Sequence, residues 1–360
     1  MSDSSGGESG AASSSQRSKK GEDYVMSQRA LIGGDDVLFM LVADGHGGPT
    51  AAELIHEHMI TYIIAEAEDD ASADSLQAAC AYSFERMHKH VCSVSDTSGS
   101  TLTVVAVNFS RRELTVANVG DSEALLVEAE DETLLTTQHR LADSAEERER
   151  VVETGSTIAQ AVDNDGYPGG PLRAYPGGLA VTRTIGDADC PSACAVPAVH
   201  TVAFDADAGA AIIICSDGVW DACSHAKVGS CVRRARTAAA ASDRIVATAI
   251  KAAGLRDDTS ALVAWLGVPP WDESVYESTS TATRLGRRLS LAFGSRSPSC
   301  SPKASRNATP QMAPAPSHKD LAGLGGIPSL NLDAAGSPSS SPSSSREPSL
   351  TGAVVFKVGL

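Results

Sequence analysis

The chain has 360 residues, of which 42% are hydrophobic and only 4% aromatic, enough apolar mass for one large folded domain with tails. Forty-five Asp and Glu against 29 Lys and Arg leave a net charge of -16, the wrong sign for a protein that lives on nucleic acid or anionic lipid, and no apolar run is long enough to span a membrane. The eight cysteines form no CxxC pair and the first twenty residues lack the apolar stretch of a secretory signal, so reduced thiols and a cytoplasmic or nuclear protein are expected, not a disulfide scaffold or a structural zinc site.

Residues 1–18 are Ser- and Gly-rich and read as a flexible arm. Residues 24–31 read as a strand preceded by Glu22 and Asp23, and 37–43 as a second strand running into Asp44. Pro49 suits a first helical turn, and 52–66 and 75–91 carry helical spacing. A hairpin is predicted over 101–109 and 114–119, its second strand running into Gly120 and Asp121, with a short strand at 124–127. A helix over 144–154 leads to 160–178, where prolines and glycine pairs crowd together and a long irregular, functional loop is expected. The strand 210–215 runs into Ser216 and Asp217, a helix covers 242–253, and a last strand, 260–266, follows Asp257 and Asp258. Hairpinned strands and paired helices favour an α+β layered fold over regular βαβ alternation. Residues 281–360 carry a net +6, against -22 for the first 280, and hold nine of the 17 prolines. The expected division is an arm over 1–18, a folded domain over 19–268 and a Ser/Pro-rich basic, disordered tail over 269–360.

Asp44, Asp121, Asp217 and Asp257 each sit at the edge of a strongly apolar strand, and Glu22-Asp23 precedes another. One such Asp is usually a turn or cap residue. Five acidic strand ends together are a different matter, because carboxylates gathered at one sheet edge repel one another unless cations neutralise them. An oxygen-only site suits Mg²⁺ or Mn²⁺ better than Zn²⁺. The run Asp44-Gly45-His46-Gly47-Gly48 adds a sharp turn, a backbone carbonyl and a titratable proton donor.

These residues, with Gly21-Glu22-Asp23, Ser98-Gly99-Ser100-Thr101, Ala117-Asn118-Val119-Gly120-Asp121-Ser122, the run 178–187, Cys215-Ser216-Asp217-Gly218-Val219-Trp220-Asp221 and Asp257-Asp258-Thr259-Ser260, resemble the metal-dependent protein serine/threonine phosphatases, the PPM or type 2C family, in the family's order. The stretches 19–24 and 169–178 look most like its plant and algal branch. The resemblance implies a four-layer α-β-β-α sandwich of two antiparallel sheets flanked by helices. It implies two Mg²⁺ or Mn²⁺ ions per chain, magnesium or manganese, and a weaker third in some members. Asp44 would bridge the two ions, Gly45 would offer its carbonyl, Asp217 and Asp257 would bind the first, and Glu22 would hold the second through water. Asp121, with Asp217, would contribute to the third. A metal-bridging hydroxide would attack phosphoserine or phosphothreonine in protein substrates, with His46 as general acid. Asp23 would bond metal water, Asp258 would orient Asp257, and Asp187 would steady the neighbouring loop.

The sequence departs from the family at Ser18, where an arginine commonly grips phosphate, so Arg17, Lys19 or Lys20 is expected to substitute. Glu123 replaces a usual arginine. Arg183 is expected to brace the fold or see substrate, and a monomer is expected. Arg287-Arg288-Leu289-Ser290 and the Ser-Pro pairs of the tail resemble kinase sites. The rival readings are a binding module that kept the fold without catalysis, and a hydrolase of small phosphoesters.

Overall fold

The structure, a computed structural model, describes residues 11–16, 18, 20–162 and 167–267. In chain order the elements are β1 (Ala11–Gln16), β2 (Asp23–Ile32), β3 (Asp35–His46), α1 (Thr50–Ala67), α2 (Ala73–Cys92), β4 (Gly99–Ser100), β5 (Leu102–Asn108), β6 (Glu113–Val119), β7 (Glu123–Val127) and β8 (Glu132–Leu134). They continue with α3 (Ala145–Glu153), β9 (Thr157–Val162), β10 (Pro168–Tyr175), β11 (Ile185–Gly186), β12 (Ala198–Ala203), β13 (Ala210–Cys215), α4 (Asp217–Trp220), α5 (His225–Arg233), α6 (Ala238–Ala253) and β14 (Thr259–Leu266).

Alternation along the strands builds the layers. In β3, Val37, Phe39, Leu41 and Ala43 face the helix pair α1 and α2, while Leu38, Met40 and Val42 point the other way. There they meet Ile212 and Ile214 of β13 and Leu262 and Ala264 of β14, so this second cluster lies between two sheets. The opposite faces of β13 and β14, with Ala211, Ile213, Ala261 and Val263, pack on α5 and α6. The result is the expected helix-sheet-sheet-helix arrangement. Each fully buried branched side chain contributes roughly 1.5–3 kcal/mol.

One sheet has the order β11-β4-β3-β5-β6-β12 with β2 also on β3, the other β1-β14-β13-β7-β8, and every ladder in both is antiparallel. Ser72, Ser144, Ser224 and Thr237 cap the helices α2, α3, α5 and α6 with their hydroxyls. No helix among the described residues is long and apolar enough to cross a membrane. The seven described cysteines are free.

Two expectations are corrected. Residues 11–16, read as part of a flexible arm, form β1, which pairs with β14 from Ala11 opposite Ala264 to Gln16 opposite Thr259. Ladder hydrogen bonds belong to the backbone, so a Ser-rich segment can satisfy an edge that its composition does not announce. The segment 160–178 is not wholly irregular, because β9 and β10 pair as a hairpin from Val162 opposite Pro168 to Thr157 opposite Tyr175. Gly169, Gly170 and Pro171 lie at a register shift between Pro168 and Leu172, and Pro176, Gly177 and Gly178 follow the end of β10. The tail 269–360, with its kinase-like motifs, lies outside the described residues.

Candidate metal centre

The strand ends bring the acidic residues together. The β2–β3 register sets Asp23 opposite Asp44. Beyond Asp44 the Gly45 amide donates to the Glu22 carbonyl at 3.3 Å, and the Thr101 amide donates to the Asp44 carbonyl at 2.9 Å. At the end of β13, Ser216 is the N-cap of α4 and Asp217 its first residue. The Ser216 amide donates to the Ser260 carbonyl at 3.2 Å, which fixes β13 against the start of β14, just after Asp257 and Asp258. Asp121 lies in the turn between β6 and β7. Asp23, Asp121 and Asp258 are buried, and Asp44, Asp217 and Asp257 half-buried.

These carboxylates are short of positive charge. Burial and then the charges of Asp23, Asp217, Asp121 and Asp257 push the Asp44 carboxyl well above its ordinary value. Burial and the Asp121 charge raise Asp217 to about 7, even with Arg140 beside it. Burial, with Asp258 and Asp257 nearby, raises Asp23 to about 6. Asp23 accepts the Ser216 hydroxyl at 2.8 Å on Oδ2, while its buried Oδ1 has no partner.

His46, the last residue of β3, is held by a second buried acid. The short strand β4 pairs with β3 on one side and β11 on the other, so His46 lies opposite Gly99 and Gly99 opposite Gly186. The next residue, Asp187, has φ 56° and sets both carboxylate oxygens 2.9 Å from His46 Nε2. A carboxylate only accepts, so Nε2–H donates to Asp187 and Nδ1 is left as the free face of the ring. A Cβ at position 99 would lie 2.0 Å from Asp187 Oδ2, so a larger residue there would push the Asp187 carboxylate off His46. Asp187 therefore does more than steady a loop.

Other predicted residues land differently. Glu22 turns one oxygen to the Gly48 amide at 3.0 Å, closing the 44–48 turn. Asp258 does not orient Asp257 through its carboxylate. That group instead gathers the amides of Ser18, Glu22 at 2.6 Å and Asp23 at 3.2 Å, because three N–H groups of the incoming segment converge on it; the Asp258 amide in turn donates to Asp257 Oδ1 at 2.9 Å. Lys20 reaches Asp257 Oδ2 with Nζ at 2.6 Å, while Arg17 and Lys19 lie outside the described residues. Glu123 is buried and accepts from His225 Nε2 at 2.6 Å and Gln138 Nε2 at 3.1 Å, which accounts for an acid where an arginine is usual. Arg183 braces the fold through Glu147, at 2.6 Å, and the Val196 carbonyl, at 3.0 Å.

Residues 8–259 match the family model described as Protein phosphatase 2C. This chain belongs to the protein phosphatase 2C family. A Probable protein phosphatase 2C 33 of Oryza sativa subsp. japonica is 34% identical over 291 residues, covering 78% of this chain and 66% of the relative. A Probable protein phosphatase 2C 15 of Arabidopsis thaliana is 36% identical over 254 residues, covering 68% and 57%. The chain thus spans less than two thirds of the length of these plant relatives. The solved serine-threonine phosphatase 2C from Toxoplasma gondii shares the fold, with TM-score 0.61 at 19% identity over 70% of this chain and 93% of that one. So does a C. elegans sex determining protein, with TM-score 0.63 at 24% identity over 73% and 65%.

The phosphatase 2C chain has a donor set of carboxylate and carbonyl oxygens, surplus negative charge and one orphaned buried oxygen on Asp23, all of which fit a hard divalent cation. The fit is one of chemistry and charge. Among the described residues no three His, Cys, Asp or Glu side chains stand as a formed coordination group. Two side-chain cations lie on the carboxylates instead: Lys20 on Asp257, and Arg140 on Asp121 and Asp217. Sequence reasoning missed Arg140, because its neighbourhood carries no local pattern and its acidic partners are remote in the chain.

Proposed function

We propose that this chain hydrolyses phosphoserine and phosphothreonine monoesters in proteins, with Mg²⁺ or Mn²⁺ as cofactor. The observation that carries the reading is the group of carboxylates around Asp44, held together by strand ends with too few cations of its own. Asp44, Asp217, Asp257, Glu22 and the Gly45 carbonyl are the groups that would hold the ions. Bound there, divalent ions would acidify water and neutralise phosphoryl charge.

The remaining work falls to side chains of this chain. Asp187 fixes the His46 ring through Nε2, which leaves Nδ1 as the atom that would deliver a proton to the departing serine or threonine oxygen. Lys20, half-exposed at the rim, is the described candidate to meet the substrate phosphate, alongside Arg17 and Lys19. The β9–β10 hairpin corresponds to the family's flap and would take part in substrate choice.

Phosphate release from a phosphothreonine peptide, with Mn²⁺ and then with chelator, tests it. Turnover that chelator abolishes is expected. No turnover under any divalent metal would sink the reading in favour of a binding module. Activity confined to small phosphoesters would shift the substrate class.

A further inference from the structure

Arg140 is placed with care. Its predecessor His139 is fully buried; the His139 amide donates to the Gly120 carbonyl at 3.3 Å, and the His139 carbonyl accepts from the Thr182 amide at 2.9 Å. Leu141 on the other side donates to the Ala180 carbonyl at 2.9 Å, and Arg140 itself bridges to Val181. The backbone is therefore anchored before and after the side chain, which is aimed at one corner of the centre. There each guanidinium nitrogen takes a different carboxylate. Nε reaches Asp121 Oδ2 at 2.5 Å, Nη2 reaches Asp217 Oδ2 at 2.9 Å and Nη1 reaches Asp221 Oδ1 at 2.7 Å. These acids lie 19, 77 and 81 residues away in the chain.

A lysine would offer one point charge, whereas the planar fork spans three acids at once. Nor is this a surface pair: the Asp121 side chain is 7% exposed and that of Arg140 27%. A cavity of about 370 Å³, lined by Arg140, Asp121, Asp221, Glu123, His225 and Trp220 among others, opens beside the guanidinium. Space and acids are thus available to a divalent ion at this corner, and the guanidinium already occupies one oxygen of each acid.

We propose that Arg140 is the resident cation of this corner: it neutralises Asp121, Asp217 and Asp221 and excludes the weaker third divalent ion that the type 2C resemblance implies for Asp121 and Asp217. This rests on the metal-centre reading above and deepens it. Asp217 is the shared residue, so the guanidinium also fixes one donor of the pair of ions expected around Asp44.

Equilibrium dialysis of the full chain against rising Mn²⁺, with metal analysis, tests the assignment by counting ions. The wild type is expected to saturate at two, and Asp221→Asn to leave its isotherm unchanged, because in the wild type Asp221 serves only the arginine. Arg140→Met should add a third, weak class of site, and that class should vanish in the Arg140→Met/Asp221→Asn double variant. A third ion in the wild type that Asp221→Asn removes would overturn the proposal while leaving the metal centre standing. So would a folded Arg140→Met chain that still takes two. Should Arg140→Met fail to fold, the wild type and Asp221→Asn decide alone. A wild-type chain that binds no Mn²⁺ would overturn the metal-centre reading and this inference with it.

Discussion

Glu147 and the acids around Asp44 are both withdrawn from water, yet the fold treats them in opposite ways. Burial acts to push Glu147 up, but Arg183 at 2.6 Å, the Thr182 hydroxyl at 2.6 Å and Arg150 at 3.0 Å hold it down at about 2. The same arginines continue to backbone carbonyls, Arg150 to Thr182 at 2.8 Å and Arg183 to Val196 at 3.0 Å. Around Asp44 and Asp23 no such closure exists, and burial and mutual repulsion leave those carboxyls above their ordinary values. A satisfied buried charge ties a loop in place, while an unsatisfied one stores the capacity to bind a cation.

The sharpest way to break this comparison is to neutralise one acid of each kind. Asp44→Asn should cut turnover on a phosphothreonine peptide well beyond the roughly 10- to 100-fold that changing a ligand's outer partner costs. In chelator the same variant should melt no lower than the wild type, and higher by about 2–4 °C for each kcal/mol of repulsion relieved. Glu147→Gln should do the reverse, because it strands Arg183 and Arg150. A loss of roughly 3–5 kcal/mol in urea unfolding is expected, with kcat of the folded fraction within a few-fold of wild type. Equal destabilisation by both variants would show that the two groups do not differ in kind.

Acid and base should separate the regions again. Asp23 and Asp217 release protons near 3.8 when unfolded and near 6 and 7 when folded, so unfolding releases protons between these values. The metal-free fold therefore loses stability from this source as pH rises from about 4 to about 7. Glu147 goes the other way: its contribution is complete above 4.5 and is lost as pH falls toward about 2. Urea melts in chelator across this range should show a maximum on the acid side of neutrality, and Mn²⁺ should restore most at pH 7. A metal-free chain whose stability climbs steadily to neutrality would contradict the account of the cluster.

Much of this was legible in the sequence, and the reasons why the rest was not are physical. The apolar runs closing on Asp44, Asp121 and Asp217 announced both the strands and their acidic ends, because side-chain alternation and strand termination are local. The acids at 257 and 258 look alike in sequence, yet only geometry shows Asp258 tied to the amides of Ser18, Glu22 and Asp23. β1 was hidden because its pairing uses backbone groups, and the β9–β10 hairpin because the prolines and glycines within and after β10 outweighed a short alternating pattern. Asp187 was legible as a motif residue but not as the partner of His46, since the contact runs through the two-residue strands β4 and β11.

Asp187→Asn should have a moderate effect, and asparagine tolerates the positive φ there. Loss of the charge behind His46 should lower kcat on phosphothreonine roughly 10- to 100-fold, within the share that general acid catalysis supplies. On an aryl phosphate, whose leaving oxygen needs no proton, the loss should be slight. An equal loss on both substrates would mean that Asp187 shapes the site without acting through His46.

The smallest effect is expected at the rim, from Lys20. Its ammonium lies on Asp257 at 2.6 Å but its side chain is 51% exposed, so the pair is screened and contributes under about 1 kcal/mol to the metal-free fold. Ser18, at the position where a phosphate-gripping arginine is common, is occupied otherwise: its amide serves Asp258, and its hydroxyl accepts the Lys20 amide at 3.1 Å. Positive charge at this rim must come from its neighbours, of which Lys20 is the described one. Lys20→Ala should therefore raise KM for a phosphopeptide a few-fold while leaving kcat and the chelated melting temperature nearly unchanged. A proportional fall in kcat with KM unaltered would move Lys20 from substrate capture to the reacting group itself, and would make the rim part of the under-neutralised cluster instead of its border.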